Sequence, residues 1–292
     1  MRKILIMVLL VAFAAIVGVS CAKTADSGLN YVPGSASVVG QIDVAKLFTI
    51  KAVKDGVTEN EGKDEDVVEL KKLGVSSETV KKVSFGLDLT KTVEGKDPEG
   101  IVVIELTTAV TDQAKVIELI KKKNPDLAIQ FISGTIAVIG TPEMVAAAAQ
   151  LKAGAGSASK NTALMAVASK ANKNGLIWIA ATIPADQLKK LGEKAGPDAP
   201  LKGDQVKDLV LDADYSDAAG LSLNIALTLD AEATVDELIP KLEQAKGMAA
   251  MFSGGKITAE MITVGKKGTA LTLTVAIPKA VLDELAAATN SN

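Results

Sequence analysis

The chain has 292 residues, a formal net charge of -3 and 48% hydrophobic residues, a composition typical of one large or two small globular domains. Histidine is absent and there is one cysteine. This excludes Ser-His-Asp and Cys-His catalytic sets, histidine metal ligands and an intrachain disulfide. Charges of both signs are interspersed and aromatic residues make up only 3%, so we expect no nucleic-acid partner.

The N-terminus has the charge and hydropathy pattern of a signal peptide. Arg2 and Lys3 precede an unbroken apolar run of 14 residues, Ile4 to Val17. This run is too short to span a bilayer comfortably but has the length of a signal-peptide core. Small residues then lead to Cys21, the chain's one cysteine. We predict that residues 1–20 are a signal peptide.

This arrangement resembles a bacterial lipoprotein precursor over about the first 23 residues, although Gly18 stands where that family prefers Leu or Val. The resemblance implies that Cys21 is lipidated, becomes the new N-terminus and holds the protein on a membrane through acyl chains. Ala22, rather than Asp, follows the cysteine, which permits sorting to the outer membrane, with the folded part in the periplasm or at the cell surface. The alternative is ordinary signal-peptidase cleavage after Ser20 or Ala22. If Cys21 is lipidated, residues 21–35 are predicted to be a short polar tether between the membrane and the folded part.

The first folded unit is predicted over residues 36–154. Alternating apolar residues predict five strands, near 36–43, 80–89, 100–107, 127–132 and 135–139. Helical spacing of apolar residues predicts four helices, near 44–54, 64–73, 112–123 and 142–152. The stretch "AGAGSASKN", 153–161, is the predicted seam before the next unit.

The second unit is predicted over residues 155–292. A bridging helix at 162–173 precedes strands near 175–183, 206–215, 220–229, 257–264 and 269–277, the last two joined across "GKKG". Helices are expected near 184–194, 231–252 and 278–288. In two places a strand runs directly into a helix that opens with proline, at Pro184 and Pro278, where the missing N–H is no loss.

Both units are predicted to follow the order β-α-β-β-α-β-β-α. Ile42 corresponds to Ile183 at an offset of 141 residues, and Pro142 to Pro278 at an offset of 136. So steady an offset favours internal duplication. Hairpins and short helices predict an α+β fold, with mostly antiparallel sheets and helices packed on one face. This layout also resembles duplicated α+β envelope lipoproteins of bacteria whose activity is uncharacterised.

Four residues are candidates for contact with a ligand. Trp178 is out of phase with Ile177 and Ile179, so it lies on the opposite sheet face; it contacts a ligand if that face is open and belongs to the core if it is covered. The other three, near the end of a predicted helix, are either core or a soft apolar contact surface: Met248, Met251 and Phe252.

Two other stretches resemble ion or phosphate sites only loosely. "LVLDADYSD" places Asp212, Asp214 and Ser216 on one strand face, but the spacing of a calcium loop fails, and a solvated strand face is expected. "GAGSASKNT" lacks the second glycine of a phosphate loop and follows a helix. No metal site, cofactor or catalytic residue is therefore predicted.

Three functions remain. The first is a membrane-tethered, non-enzymatic envelope protein with a binding or structural role and, in one version, an envelope protein partner. The second is a carrier of an apolar or lipid ligand between sheet and helices, which predicts a dry internal cavity of ~300 Å³ or more. The third is a carboxylate-based hydrolase, which predicts two acids ~5–9.5 Å apart in a cleft.

Overall fold

The computed structural model describes residues 28–61, 64–90, 98–151, 154–184, 187, 205–252 and 255–289, and its side-chain description excludes 52, 58–61, 248–252 and 285–289. The predictions for the signal peptide, for Cys21 and for most of the helix at 184–194 lie outside these residues. The chain divides into two compact units, residues 1–165 and 166–292. Both contain helices and an antiparallel sheet, so the fold is α+β, as predicted.

Unit 1 contains a five-stranded antiparallel sheet. Its strands are β1 (Val38–Asp43), β2 (Val80–Asp88), β3 (Glu99–Leu106), β4 (Ala128–Ser133) and β5 (Ile136–Gly140). Their order across the sheet is β4-β5-β3-β2-β1, and each neighbouring pair is antiparallel. All five were predicted within two residues of these bounds, because each carries a run of β-branched or aliphatic residues between polar turns.

The described part of unit 1 also contains six α-helices: α1 (Val44–Leu47), α2 (Lys51–Glu61), α3 (Glu65–Lys72), α4 (Gln113–Lys123), α5 (Pro142–Gln150) and α6 (Thr162–Ala168), which contains the unit boundary. The single helix predicted at 44–54 is wrong, because α1 ends in a tight turn. There Thr49 N and Ile50 N donate to carbonyls three residues back, and the Thr49 hydroxyl donates to the carbonyl of Lys46. Phe48 then packs against Val57 of α2.

The folded part of unit 1 begins earlier than the sequence indicates. Gly28–Tyr31 form a 3-10 turn in which Leu29 is fully buried, as is Val32 just after it. A Cβ added to Gly28 would collide with the side chain of Ser84, so the chain passes close to strand β2 here. The prediction that the polar tether extends to residue 35 is therefore wrong from residue 28 onward.

The predicted seam also belongs to unit 1. The amide of Gly34 donates to Gly156 O at 2.9 Å, Ser159 Oγ donates to Asn30 Oδ1 at 2.6 Å, and Asn161 Nδ2 donates to Gly34 O at 3.1 Å. These bonds tie the glycine- and serine-rich stretch to the first folded residues. The unit boundary consequently lies after residue 165 rather than after residue 154.

Unit 2 contains five strands, each antiparallel to its neighbours within the unit, and two described helices. The strands are β6 (Ile177–Thr182), β7 (Val206–Ser216), β8 (Gly220–Leu229), β9 (Ile262–Lys267) and β10 (Ala270–Ile277), and the helices are α7 (Glu232–Phe252) and α8 (Lys279–Thr289). The strand order is β6-β7-β8-β10-β9. If the strands of each unit are numbered one to five in chain order, unit 2 has the order 4-5-3-2-1 from its β9 edge. Unit 1 has the same order from its β4 edge. The internal duplication itself stays a prediction.

The β9–β10 hairpin differs from its prediction in both turn and length. Ala270 pairs with Lys267, so the turn is the two residues Gly268–Thr269 and not the whole of "GKKG". Gly268 has φ +58°, which a tight hairpin turn requires and which glycine adopts without strain. The strand starts at Ile262 because a 3-10 turn, Ala259–Met261, occupies the preceding residues.

Gly220, the first residue of β8, lies close to the backbone at the end of β10, and a substitution there tests this packing. It has φ +83°, and an added Cβ would collide with the carbonyl oxygen of Ile277. Gly220→Ala should therefore lower the free energy of unfolding by about 2–4 kcal/mol, measured by urea denaturation. The matched control is Gly247→Ala, in an open, helical position, which should raise that free energy by about 0.5–1 kcal/mol. A Gly220→Ala protein as stable as the unmodified protein would contradict the described packing.

Candidate functional site in unit 2

In-register pairing gives the sheet of unit 2 two chemically different faces. One row across the strands reads Trp178, Asp212, Asn224, Thr274, and the next row, on the opposite face, reads Ile179, Leu211, Ile225, Leu273. Side chains of paired residues share a face and alternate along each strand. We call the face with Asp212 the polar face and the face with Leu211 the apolar face.

The apolar face is only partly covered. At one end, Leu229 and Leu271 are buried against Val235 and Leu238 of α7. Leu227 packs against this cluster and is half-buried. Ten further aliphatic side chains of the face are also half-buried: Ile177, Ile179, Leu209, Leu211, Leu221, Leu223, Ile225, Leu273, Val275 and Ile277. A contiguous apolar patch that is not fully buried commonly marks an interaction surface or a ligand groove.

An ion-pair cluster holds α7 at the β9 edge of this face. Lys266 Nζ lies 2.6 Å from Asp236 Oδ1 and 2.9 Å from Glu232 Oε1, both on the first turns of α7. The hydrogen bonds to these two carboxylates raise the pKa of Lys266 above its usual value. The start of α7 is thus held beside β9 by charge as well as by the apolar cluster.

The polar face carries a hydrogen-bond network across three strands. Asn224 Nδ2 donates to Asp212 Oδ1 at 2.9 Å, and the Thr274 hydroxyl donates to Asn224 Oδ1 at 2.9 Å. The second Asp212 oxygen accepts a bond from the backbone N–H of Asn172 at 3.2 Å. Asp212 is 5% exposed. The solvated strand face predicted for Asp212 is therefore wrong, because the segment after α6 covers this part of the sheet.

The same segment forms one wall of an open depression of about 470 Å³. Lys170 and Asn172 lie on that wall, and Lys170 Nζ reaches Asp208 Oδ2 at 3.5 Å and Thr228 Oγ1 at 3.2 Å. The sheet residues that line it are Val210, Asp212, Asn224, Ile225, Ala226, Thr272 and Thr274. One of these seven, Asp212, is acidic, and both of its carboxylate oxygens accept bonds from protein donors.

Trp178 lies beside this network and is buried. Its side chain is 1% exposed, so the sheet face is covered there and the residue belongs to the core, the second of the two predicted alternatives. Lys173 Nζ lies 5.1 Å from the ring centroid, a cation–π geometry. The buried indole N–H has no hydrogen-bond partner in the described structure.

The other three candidates cannot be assigned a contact. Met248, Met251 and Phe252 lie in the last turns of α7, and their side chains are outside the described part of the structure. Within that part, no group of three or more Cys, Asp or Glu side chains is arranged to hold a metal ion. The helices of the described ranges include none with the length and apolar character needed to cross a bilayer.

Sequence reasoning missed Lys170, Asn172, Asn224 and Thr274. The signal for the sheet residues is present in strand β8, which reads "LSLNIALTL" from Leu221 to Leu229. Its even positions are serine, asparagine, alanine and threonine, whereas its odd positions are leucine or isoleucine. This alternation predicts a polar face but not the segment that closes over it, since that segment precedes the strand by about fifty residues.

No protein-family model matches the chain, and no curated protein sequence is significantly similar to it. A solved structure, crystal form I of TP0453, aligns with a TM-score of 0.43 and 10% sequence identity, over 91% of this chain and 99% of that one.

Proposed function

We propose that the protein is a lipoprotein of the bacterial cell envelope that is tethered to a membrane through acyl chains on Cys21 and has a non-enzymatic binding role. The observation that carries this proposal is the position of the chain's one cysteine, separated by three residues from the end of an apolar run with a positive start. Two acyl chains hold a protein on a membrane stably, since each buried CH₂ contributes about 0.8 kcal/mol.

The residue at which the folded part begins limits the distance between unit 1 and an anchor at Cys21. Gly28 begins a turn whose following residue, Leu29, is fully buried in unit 1. Seven peptide steps separate Cys21 from Gly28, and a fully extended chain spans at most ~3.6 Å per residue, or roughly 25 Å here. On this proposal, unit 1 is held within that distance of the membrane surface.

Lipidation is tested by metabolic labelling in a diderm bacterium with an alkyne analogue of palmitate. The unmodified protein should carry the label and fractionate with membranes, because acylation occurs at the cysteine thiol and the new N-terminus. Cys21→Ala should carry no label. Gly18→Leu is the matched control, since it restores the residue preferred by lipoprotein precursors and should label at least as well. An unlabelled original protein, or label that persists in Cys21→Ala, would contradict the anchor.

The apolar face of unit 2 favours a second, compatible role, which is that of a carrier for the hydrocarbon chain of an apolar or lipid ligand. Its eleven half-buried side chains are all aliphatic, and the face is bordered by α7. Aliphatic surface stabilises a hydrocarbon by about 25 cal/mol per Å² removed from water, without any directional contact. A hydrocarbon chain bound here would bury the aliphatic side chains of the face that α7 leaves partly exposed.

A pair of neighbouring substitutions tests this role. Leu223 lies at the centre of the apolar face, and Ser222 is on the polar face of the same strand. Leu223→Asn should raise the Kd for a fluorescent fatty-acid analogue about tenfold, because it places an amide against the hydrocarbon chain. Ser222→Asn introduces the same residue on the other face and should leave the Kd unchanged. Circular dichroism checks that both variants fold.

The outcomes separate the possible occupants of this face. Equal Kd values for the two variants, or no binding of the probe by the original protein, would remove the carrier role. If the probe does not bind but Leu223→Asn abolishes association with a co-purifying envelope protein, the face serves a protein partner instead.

A further inference from the structure

We propose that the depression on the polar face of unit 2 is a binding site for a neutral, polyhydroxylated ligand of the size of a mono- or disaccharide. The site lies on the opposite face of the sheet from the apolar surface discussed above. It is therefore independent of the carrier role, and either one stands if the other fails. The argument rests on hydrogen-bonding capacity, charge and shape.

The floor of the depression offers donors and acceptors in fixed directions. Asn224 uses one amide N–H on Asp212 and its oxygen on Thr274, which leaves its second N–H for a ligand. Thr274 donates its proton to Asn224, so its oxygen lone pairs remain as acceptors. A sugar hydroxyl, which both donates and accepts, matches such alternating groups.

The charges of the depression disfavour an anion and a metal cation. Its lysine, Lys170, already pairs with Asp208, and Asp212 adds a second carboxylate. A phosphate or carboxylate ligand would meet this excess of negative charge. A metal cation would need carboxylate oxygens, and both oxygens of Asp212 accept bonds from Asn172 and Asn224. A neutral ligand avoids both conflicts.

The shape of the depression fits a ring with an apolar face. The aliphatic residues Ala226, which is half-buried, and Val210, which is 3% exposed, line it between the polar groups. These side chains can pack against the C–H face of a pyranose while the hydroxyl groups at its rim reach Asn224, Thr274 and Lys170. The volume of about 470 Å³ lies within the usual range of ~300–1,000 Å³ for ligand sites. None of the described residues that line it is aromatic, so we expect a Kd on the order of 1 mM rather than tight binding.

The test titrates the full-length protein, in a detergent without a sugar headgroup, with maltose, cellobiose and lactose. Trp178 is the chain's one tryptophan and pairs in register with Asp212, so its fluorescence reports on the depression. Calorimetry gives the Kd independently. At least one of the three disaccharides should bind with a Kd on the order of 1 mM and change the fluorescence.

Two exposed threonines on the polar face of neighbouring strands supply matched variants. Thr272 lines the depression, whereas Thr263, one strand away, does not. Thr272→Leu should fill the depression and raise the Kd at least tenfold, and Thr263→Leu should leave it unchanged. Asn224→Ala, which removes the central donor and acceptor, should also raise the Kd at least tenfold.

Three results would overturn the site. The first is no heat and no fluorescence change with any of the disaccharides at concentrations about tenfold above the expected Kd. The second is binding that Thr272→Leu and Asn224→Ala leave unaltered, which would place the sugar elsewhere. The third is equal loss in Thr272→Leu and Thr263→Leu, which would indicate a general effect on the sheet. Because none of these variants touches the apolar face, fatty-acid binding in the same preparations shows whether the carrier role stands separately.

Discussion

Because β7, β8 and β10 pair in antiparallel register, the sheet of unit 2 has polar side chains on one face and aliphatic side chains on the other. Successive side chains of a strand point to opposite faces, so a slip of one residue would exchange every leucine of β8 for a polar residue. The turns at both ends fix this register. Gly220 lacks a Cβ and so allows the start of β8 to lie close to the end of β10. Gly268 provides the positive φ of the β9–β10 turn.

The polar face has its buried carboxylate fully hydrogen-bonded, whereas the apolar face is incompletely buried. On the polar face, Asp212 is buried but satisfied, since three protein groups form a continuous hydrogen-bond chain with it. A buried carboxylate without such donors would be strongly destabilising. On the apolar face, α7 completes burial at one end only, near Leu229 and Leu271. The aliphatic side chains of this face that stay partly exposed are the reason why we propose a hydrocarbon ligand there.

Sequence periodicity was sufficient for nine of the ten described strands and for most described helix boundaries. Helix α4 is an example: it was predicted near 112–123 and spans Gln113–Lys123, and the side chain of Asp112, just before it, accepts a bond from Lys115 N at 3.0 Å. Local signals of this kind lie within a few residues of the element that they define. The α+β class follows from them, because hairpins and short helical connections can be counted along the chain.

The errors have a common physical cause, which is contact between residues far apart in the sequence. Residues 28–35 are polar enough to be taken for a tether, but the burial of Leu29 depends on strands that come more than fifty residues later. Likewise, the strand alternation predicted that Asp212 shares a face with Asp214, but not that Asn172 would cover it. The depression was missed for the same reason, since its wall and its floor come from separate segments.

The most direct test of the two-faced sheet is a cysteine scan of β8 in a Cys21→Ala background, where each introduced thiol is the chain's one cysteine. Residues 221 to 228 are replaced one at a time, and the rate of maleimide modification is measured with and without a fatty-acid ligand. We predict slower modification in the presence of the ligand at 221, 223, 225 and 227, and unchanged rates at the four intervening positions. Uniform protection along the strand, or protection at the even positions, would contradict the account.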